Sequence, residues 1–181
     1  MPVSLHIRGD GVRADPAVEP AVAAVFTHLR AVGRLFSTYR PDSQISRIRR
    51  HVDNAVEQLA RPGPYDHYLN AGGDIAAAAR PGATAWRVGI EDPRDRTRLL
   101  SVRELRGGGL ATTGTAARGA RIVDPRTGGH PTAIRSVTVS GPRLLWADVY
   151  ATAAIARSGD VERWIRARAP DYEAFTVLRA S

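Results

Sequence analysis

The chain contains no cysteine in its 181 residues. That excludes disulfides, thiolate nucleophiles and cysteine-bound zinc. Lysine is also absent, so all 26 basic residues are arginine. No run of about 18 apolar residues occurs, so no segment reads as a membrane-spanning helix. The opening Met1-Pro2-Val3-Ser4-Leu5-His6-Ile7 is too short and too polar for the apolar part of a secretory leader. A soluble, cytoplasmic protein is the expectation. The five histidines, His6, His28, His51, His67 and His130, show no metal-ligand spacing, and H-E-x-x-H is missing. Neither G-x-G-x-x-G nor a P-loop occurs, so a nucleotide, if bound, is held by other means.

What is present describes a globular chain. Hydrophobic residues make up 43% of it, and the length suffices for one domain with a core. The formal net charge is +8. Such an excess suits a solvated basic surface, a field that draws in a polyanionic small ligand, or nucleic acid. The arginines are scattered along the chain, with Arg47, Arg49 and Arg50 and then Arg163, Arg166 and Arg168 close together. The scatter favours the solvated surface over nucleic acid.

Val3, Leu5 and Ile7 alternate with Ser4 and His6 as a half-buried strand does. Gly9-Asp10-Gly11 turns the chain, and Asp15 before Pro16 signals a helix start. Val18, Val22, Val25, Leu29, Val32 and Phe36 then repeat at helical spacing, as a core-facing stripe would. Pro41 biases Arg40 out of the helical region and places Tyr39 on or near a loop. A second short helix is expected from Ser43, and Val52, Val56 and Leu59 share a helical face that Pro62-Gly63-Pro64 ends. Tyr65 to Leu69 reads as a strand feeding Asn70-Ala71-Gly72-Gly73-Asp74-Ile75. The paired glycines fit a plain turn or a close backbone approach to a ligand. Ala76 to Ala85 reads as a loop, Trp86, Val88 and Ile90 as a strand, and Leu99 to Leu105 as another, turned by Gly107-Gly108-Gly109. Val137 and Val139 mark a strand, Ala147 to Arg157 a helix, Val161 to Ile165 another, and Phe175 to Leu178 a last strand. Strands with irregularly interspersed helices argue an α+β fold.

Two polar clusters carry candidate chemistry. Asp124-Pro125-Arg126-Thr127-Gly128 is a tight turn holding a carboxylate, a guanidinium and a hydroxyl. Asp148 and Thr152, four residues apart on the expected helix, share one face. A carboxylate beside a hydroxyl suits a hard cation such as Mg²⁺, whose remaining positions take water or phosphate oxygens. At the opening of a helix, Asp148 equally fits an N-cap.

These residues resemble the ApbE family, the FAD:protein FMN transferases. Phe36-Ser37-Thr38-Tyr39-Arg40-Pro41-Asp42-Ser43-Gln44-Ile45-Ser46-Arg47 is similar to the family's F-S-T-Y-R-P-x-S-E-I-S-R. Asn70 to Ile75 resembles its N-x-G-G-D-I, and Trp86 to Pro93 its W-x-V-G-I-x-x-P. Ile122 to Gly128 resembles the end of its H-I-I-D-P-R-T-G, while Asp148, Ala151 and Thr152 match its D-x-x-A-T metal motif. The resemblance implies one shortened ApbE-like, T-fold-like α+β domain over residues 1–181, a mixed or antiparallel sheet with flanking helices. It implies transfer of FMN from FAD to a Ser or Thr hydroxyl of an acceptor protein, with Mg²⁺ and release of AMP. Asp148 and Thr152 would then ligate the metal by side chains and Ala151 by its carbonyl. Asp148 and Arg126 would be catalytic, Arg126 by offsetting phosphate charge. Tyr39, Asn70, Gly72, Gly73, Ile122 and Met1 would contact FAD.

The chain departs from that pattern in several places. The family's long segment between S-E-I-S-R and the next helix, with its D-x-x-A-x-x-K-G motif, is missing between about 50 and 52. With it go one metal ligand and a lysine on FAD. Arg121 stands where a histidine usually precedes I-I-D-P, Ala116 where Tyr often ends T-S-G-x-Y, and Thr113 in place of its Ser. The alternative reading is therefore a degenerate member that binds flavin or a partner without catalysis. A lost internal segment would also expose apolar surface that a second copy could cover, giving a homo-oligomer.

Overall fold

A computed structural model of the chain describes residues 3–12, 14–35, 55, 65–114, 122–124 and 126–179. The described elements are β1 (Val3–Arg8), α1 (Val18–Leu35), β2 (Asp66–Ala71), β3 (Asp74–Ala78), β4 (Trp86–Asp92), β5 (Asp95–Leu105), β6 (Gly107–Gly114), β7 (Ile134–Gly141), α2 (Leu144–Arg157), α3 (Val161–Arg168) and β8 (Glu173–Leu178). Six strands form one sheet in the order β1-β2-β3-β6-β7-β8, and β4 and β5 form a separate hairpin. Every described pairing is antiparallel. This is an α+β architecture in three layers, because each sheet face buries its own apolar set.

One face carries Leu69, Ala71, Ala76, Ala111, Val137 and Val139. They pack with Leu144, Ala147, Ala151 and Ile155 of α2, Val25 of α1, and Val161 and Ile165 of α3. The other face buries Ile75, Ala77 and Leu110 under Val88 and Leu105 of the hairpin, with Tyr68 and Trp86 at the margin. Full burial of Leu144, Ile155 and Ile165 contributes about 1.5–3 kcal/mol for each side chain.

The expected helix forms as α1 with Val25 fully buried in the core, Phe36 of the stripe lies outside the described residues, and Asp15 Oδ1 accepts the Ala17 N–H at 2.8 Å just ahead of the helix. Asp160 caps α3 by accepting from the Arg163 N–H. Three expectations need correction. Residues 76–85 are not all loop, because β3 takes Asp74–Ala78. Its alanines lack strand propensity and alternation, but they lie mid-sheet with both faces covered, where small side chains let two layers close in. Gly107-Gly108-Gly109 is no turn either; the three residues open β6. A Cβ on Gly108 would strike the Gly141 carbonyl, and one on Gly109 would strike the Leu144 backbone, so close approach requires glycine. Finally, α2 begins at Leu144, three residues before Ala147.

Candidate functional site

The early start of α2 decides what Asp148 can be. The N-cap is Arg143, extended at φ −136° and making no side-chain capping bond. Asp148 is therefore the fifth helical residue and not the N-cap residue. It is only 5% exposed. The helix sits directly over β6, with Leu144 above Gly109. From Leu144 to Thr152 the helix rises about 12 Å. From Gly109 to Thr113 the strand advances about 13 Å. The two elements thus keep pace, and Thr152 Oγ1 arrives 3.2 Å from Thr113 Oγ1.

The β2–β3 hairpin ends at the same margin of the sheet. Ile75 pairs with Leu110 in antiparallel register, so the chain leading back to Gly73 runs toward the Thr113 end of β6. Gly72 and Gly73 have φ of 71° and 101°, the positive values that a tight two-residue hairpin turn demands. Asn70 Oδ1 accepts the Gly73 N–H at 2.9 Å and so fixes this turn. In the strand alternation Asn70 leaves from the face opposite α2, together with Tyr68, whose hydroxyl its amide approaches at 3.4 Å. Asn70 and Asp148 therefore share an end of the sheet but not a face.

The Asp124 turn closes on itself. Gly128 N–H donates to the Asp124 carbonyl at 2.8 Å, and Asp124 N–H donates to the Gly129 carbonyl at 2.9 Å. Arg126 holds the Asp124 carboxylate with its Nε at 3.1 Å, its Nη2 at 2.9 Å and its backbone N–H at 2.9 Å. The guanidinium, then the backbone N–H, hold the Asp124 carboxyl below its ordinary range, and the same pairing raises Arg126. Arg126 Nη2 also donates to the Arg157 carbonyl at 2.7 Å. The turn is thereby docked on the C-terminus of α2, where a cation complements the helix dipole. Ile122 packs partly buried against the helix-side core, and its carbonyl lies 2.9 Å from His130 Nδ1.

Asp148, Ala151 and Thr152 thus lie along α2, with Thr113 of β6 beside Thr152, the Gly72-Gly73 turn beyond the Ile75–Leu110 pair, and the Arg126 turn on the Arg157 carbonyl. Tyr39 and Met1 lie outside the described residues, as do Arg121, Ala116, the expected short helix from Ser43 and the stretch with Val52, Val56 and Leu59. Among the described residues no three His, Cys, Asp or Glu side chains converge. The donor set at α2 is one buried carboxylate with two neighbouring hydroxyls. All the donors are oxygen, which fits half the shell of a hard cation such as Mg²⁺. Ala151 is fully buried in mid-helix, where a carbonyl serving the helix ladder keeps a second lone pair. Thr113 is the residue that spacing along the sequence does not find. It sits 39 residues before Thr152, and only the shared stride of strand and helix joins them.

Two solved proteins share this arrangement of sheet and helices. The ApbE protein of Thermotoga maritima is similar with a TM-score of 0.58 at 18% identity, over 92% of this chain and 71% of that one. The apo flavinyl transferase ApbE of Pseudomonas stutzeri is similar with a TM-score of 0.59 at 21% identity, over 98% of this chain and 72% of that one. At those identities they show the fold, which is that of flavin transferases. Residues 50–176 match the ApbE family itself, and the chain belongs to that family. It is also 28% identical over 158 residues to an FAD:protein FMN transferase of Rhodobacter capsulatus. That match covers 80% of this chain but only 30% of the relative's length.

Proposed function

We propose that the chain transfers FMN from FAD to a Ser or Thr hydroxyl of an acceptor protein, with Mg²⁺ and release of AMP. The observation that carries this reading is Asp148, a buried carboxylate on the fifth residue of α2, one turn from the Thr152 hydroxyl. Asp148 and Thr152 would hold Mg²⁺ by side chains and Ala151 by its carbonyl. The bound ion supplies charge neutralisation at the diphosphate, the main requirement of such transfers. Tyr39, Asn70, Gly72, Gly73, Ile122 and Met1 are the proposed FAD contacts. Asn70 acts from the opposite face, by setting the shape of the glycine turn. Arg126, committed to Asp124 and Arg157, contributes by fixing the loop beside the diphosphate. In the reaction the acceptor oxygen bonds to the FMN-side phosphorus. The bond from that phosphorus to the oxygen kept by AMP breaks, and the acceptor's proton is released to solvent.

A second reading has its own support. The chain spans less than a third of the curated relative's length, and one carboxylate with neutral oxygens holds a cation weakly without the diphosphate. On that reading it binds flavin or a partner without transfer. Chromatography of AMP formed from FAD, with and without Mg²⁺, separates the two. The proposal expects Mg²⁺-dependent AMP that disappears in Asp148→Ala while the circular dichroism spectrum persists. Undiminished AMP formation in that variant removes the metal assignment. Flavin retention without any AMP favours the second reading.

A further inference from the structure

We infer that Thr113 is a positioning residue for the cation site, holding the Thr152 hydroxyl so that its lone pairs face the ion. This rests on the proposed Mg²⁺ site at Asp148 and Thr152. A threonine hydroxyl has one hydrogen and two lone pairs, and it ligates a cation only when the hydrogen points elsewhere. Thr113 Oγ1, 3.2 Å away, is the acceptor that can take that hydrogen. A helical threonine also has two side-chain wells open to it, one of them turned back on the carbonyl a turn earlier. Contact with Thr113 selects one orientation.

The selecting group is itself fixed. β6 is paired with β3 on one side and with β7 on the other, the latter from Gly109 to Gly114. The two threonines of β6 divide their contacts by strand alternation. Thr112 meets Thr138 at 2.9 Å on the far face, while Thr113 faces α2. Across the ladder Thr113 lies opposite Val137, which is fully buried and has no polar side-chain atom to compete for its hydroxyl.

The test is Mn²⁺ uptake by the whole chain in the presence of FAD, read as loss of the free-ion EPR signal. Loss of an outer-shell partner costs metal sites about 10–100-fold in affinity, so Thr113→Val should weaken Mn²⁺ at least about tenfold, while Thr113→Ser stays within about twofold. Thr113→Val should add nothing in a Thr152→Val background, because Thr113 acts through Thr152. Its melting temperature should match the wild type; Thr113→Ala serves if the valine perturbs folding. Wild-type affinity in Thr113→Val overturns the inference. So do equal losses in the serine and valine variants, or independent losses in the double variant. If the wild-type chain with FAD takes up no Mn²⁺, the cation reading itself fails and the inference with it. That result is distinct from failure at Thr113 alone.

Discussion

Gly109→Ala tests whether the seating of α2 on β6 depends on an absent side chain. A Cβ built on Gly109 comes to 2.5 Å from the Leu144 Cβ and nitrogen and meets its Cα as well. Ordinary contact begins near 3.4 Å, and most of the obstructing atoms are backbone, so the first turn of α2 must withdraw by about 1 Å. Leu144 is fully buried in the helix-side core, so withdrawal opens a seam along well-packed atoms. Overpacking of this kind costs about 1–3 kcal/mol. In a chain of this size that lowers the melting temperature by roughly 2–10 °C. Gly107→Ala is the internal control, since its added Cβ finds only the Ala77 carbonyl oxygen, at 4.0 Å. It should change stability by no more than about 0.5 kcal/mol. The two variants are compared by thermal unfolding under circular dichroism. A Gly109→Ala chain that melts at or above the Gly107→Ala chain refutes the argument. The same displacement would carry Asp148 and Thr152 with the helix, and a 1 Å misplacement can cost about 100-fold in rate. On the proposed transfer reaction, AMP formation should therefore fall further than the loss of folded protein explains.

The opposite end of the sheet supplies two more tests. Asp66, 2% exposed, accepts from Arg8 Nε at 3.0 Å, Arg80 Nε at 3.3 Å and the Arg80 N–H at 2.7 Å. Burial alone would push its carboxyl up, but those donors outweigh it and leave it below its ordinary value. Both arginines reach solvent, so Asp66→Ala should cost about 2 kcal/mol in urea unfolding, nearer the lower end for a broken pair; an unchanged midpoint would show the pair to be inert. His67, also 2% exposed, is a base whose pKa burial pushes below 6.5. The unfolded chain therefore takes up this proton first as pH falls. His67's contribution is intact above its ordinary value and is lost as pH drops from there toward the folded one. Urea midpoints at about pH 7.5 and about pH 5.5 should differ in the wild type and converge in His67→Leu; equal slopes in both chains would remove the assignment. Asp66 titrates only below its own ordinary value of 3.8, so the two windows do not overlap.

Periodicity recovered the elements that bury one face against one neighbour. Val18 to Leu35, Trp86 to Asp92 and Glu173 to Leu178 carry their pattern in local spacing, and the structure has helix, strand and strand there. It failed where a residue serves two layers or serves by being small. Ala76 and Ala77 face different cores from adjacent positions, so β3 shows no alternation of polarity. Gly109 is glycine because of Leu144, 35 residues on, and no local signal separates that from a turn. The Asp124 turn was legible because Asx chemistry acts within two residues, from Asp124 Oδ1 to the Arg126 N–H. Its docking on Arg157 was not legible, because that bond spans 31 residues.

The site turns on a boundary that sequence places only to within a turn. With a helix opening at Ala147 or Asp148, the Asp148 carboxylate has a sufficient structural reason to be there, namely the open N–H groups of the first turn. With the helix opening at Leu144, those N–H groups belong to earlier residues and Asp148 lies buried among Leu144, Ala147 and Ala151. A buried carboxylate costs several kcal/mol unless charge or donors offset it. The three-residue shift follows from the glycines of β6, which let Leu144 descend onto the strand and start the helix early. The same glycines therefore place Asp148 inside the helix instead of at its N-cap position and bring Thr152 to Thr113, so one packing constraint underlies both halves of the candidate cation site.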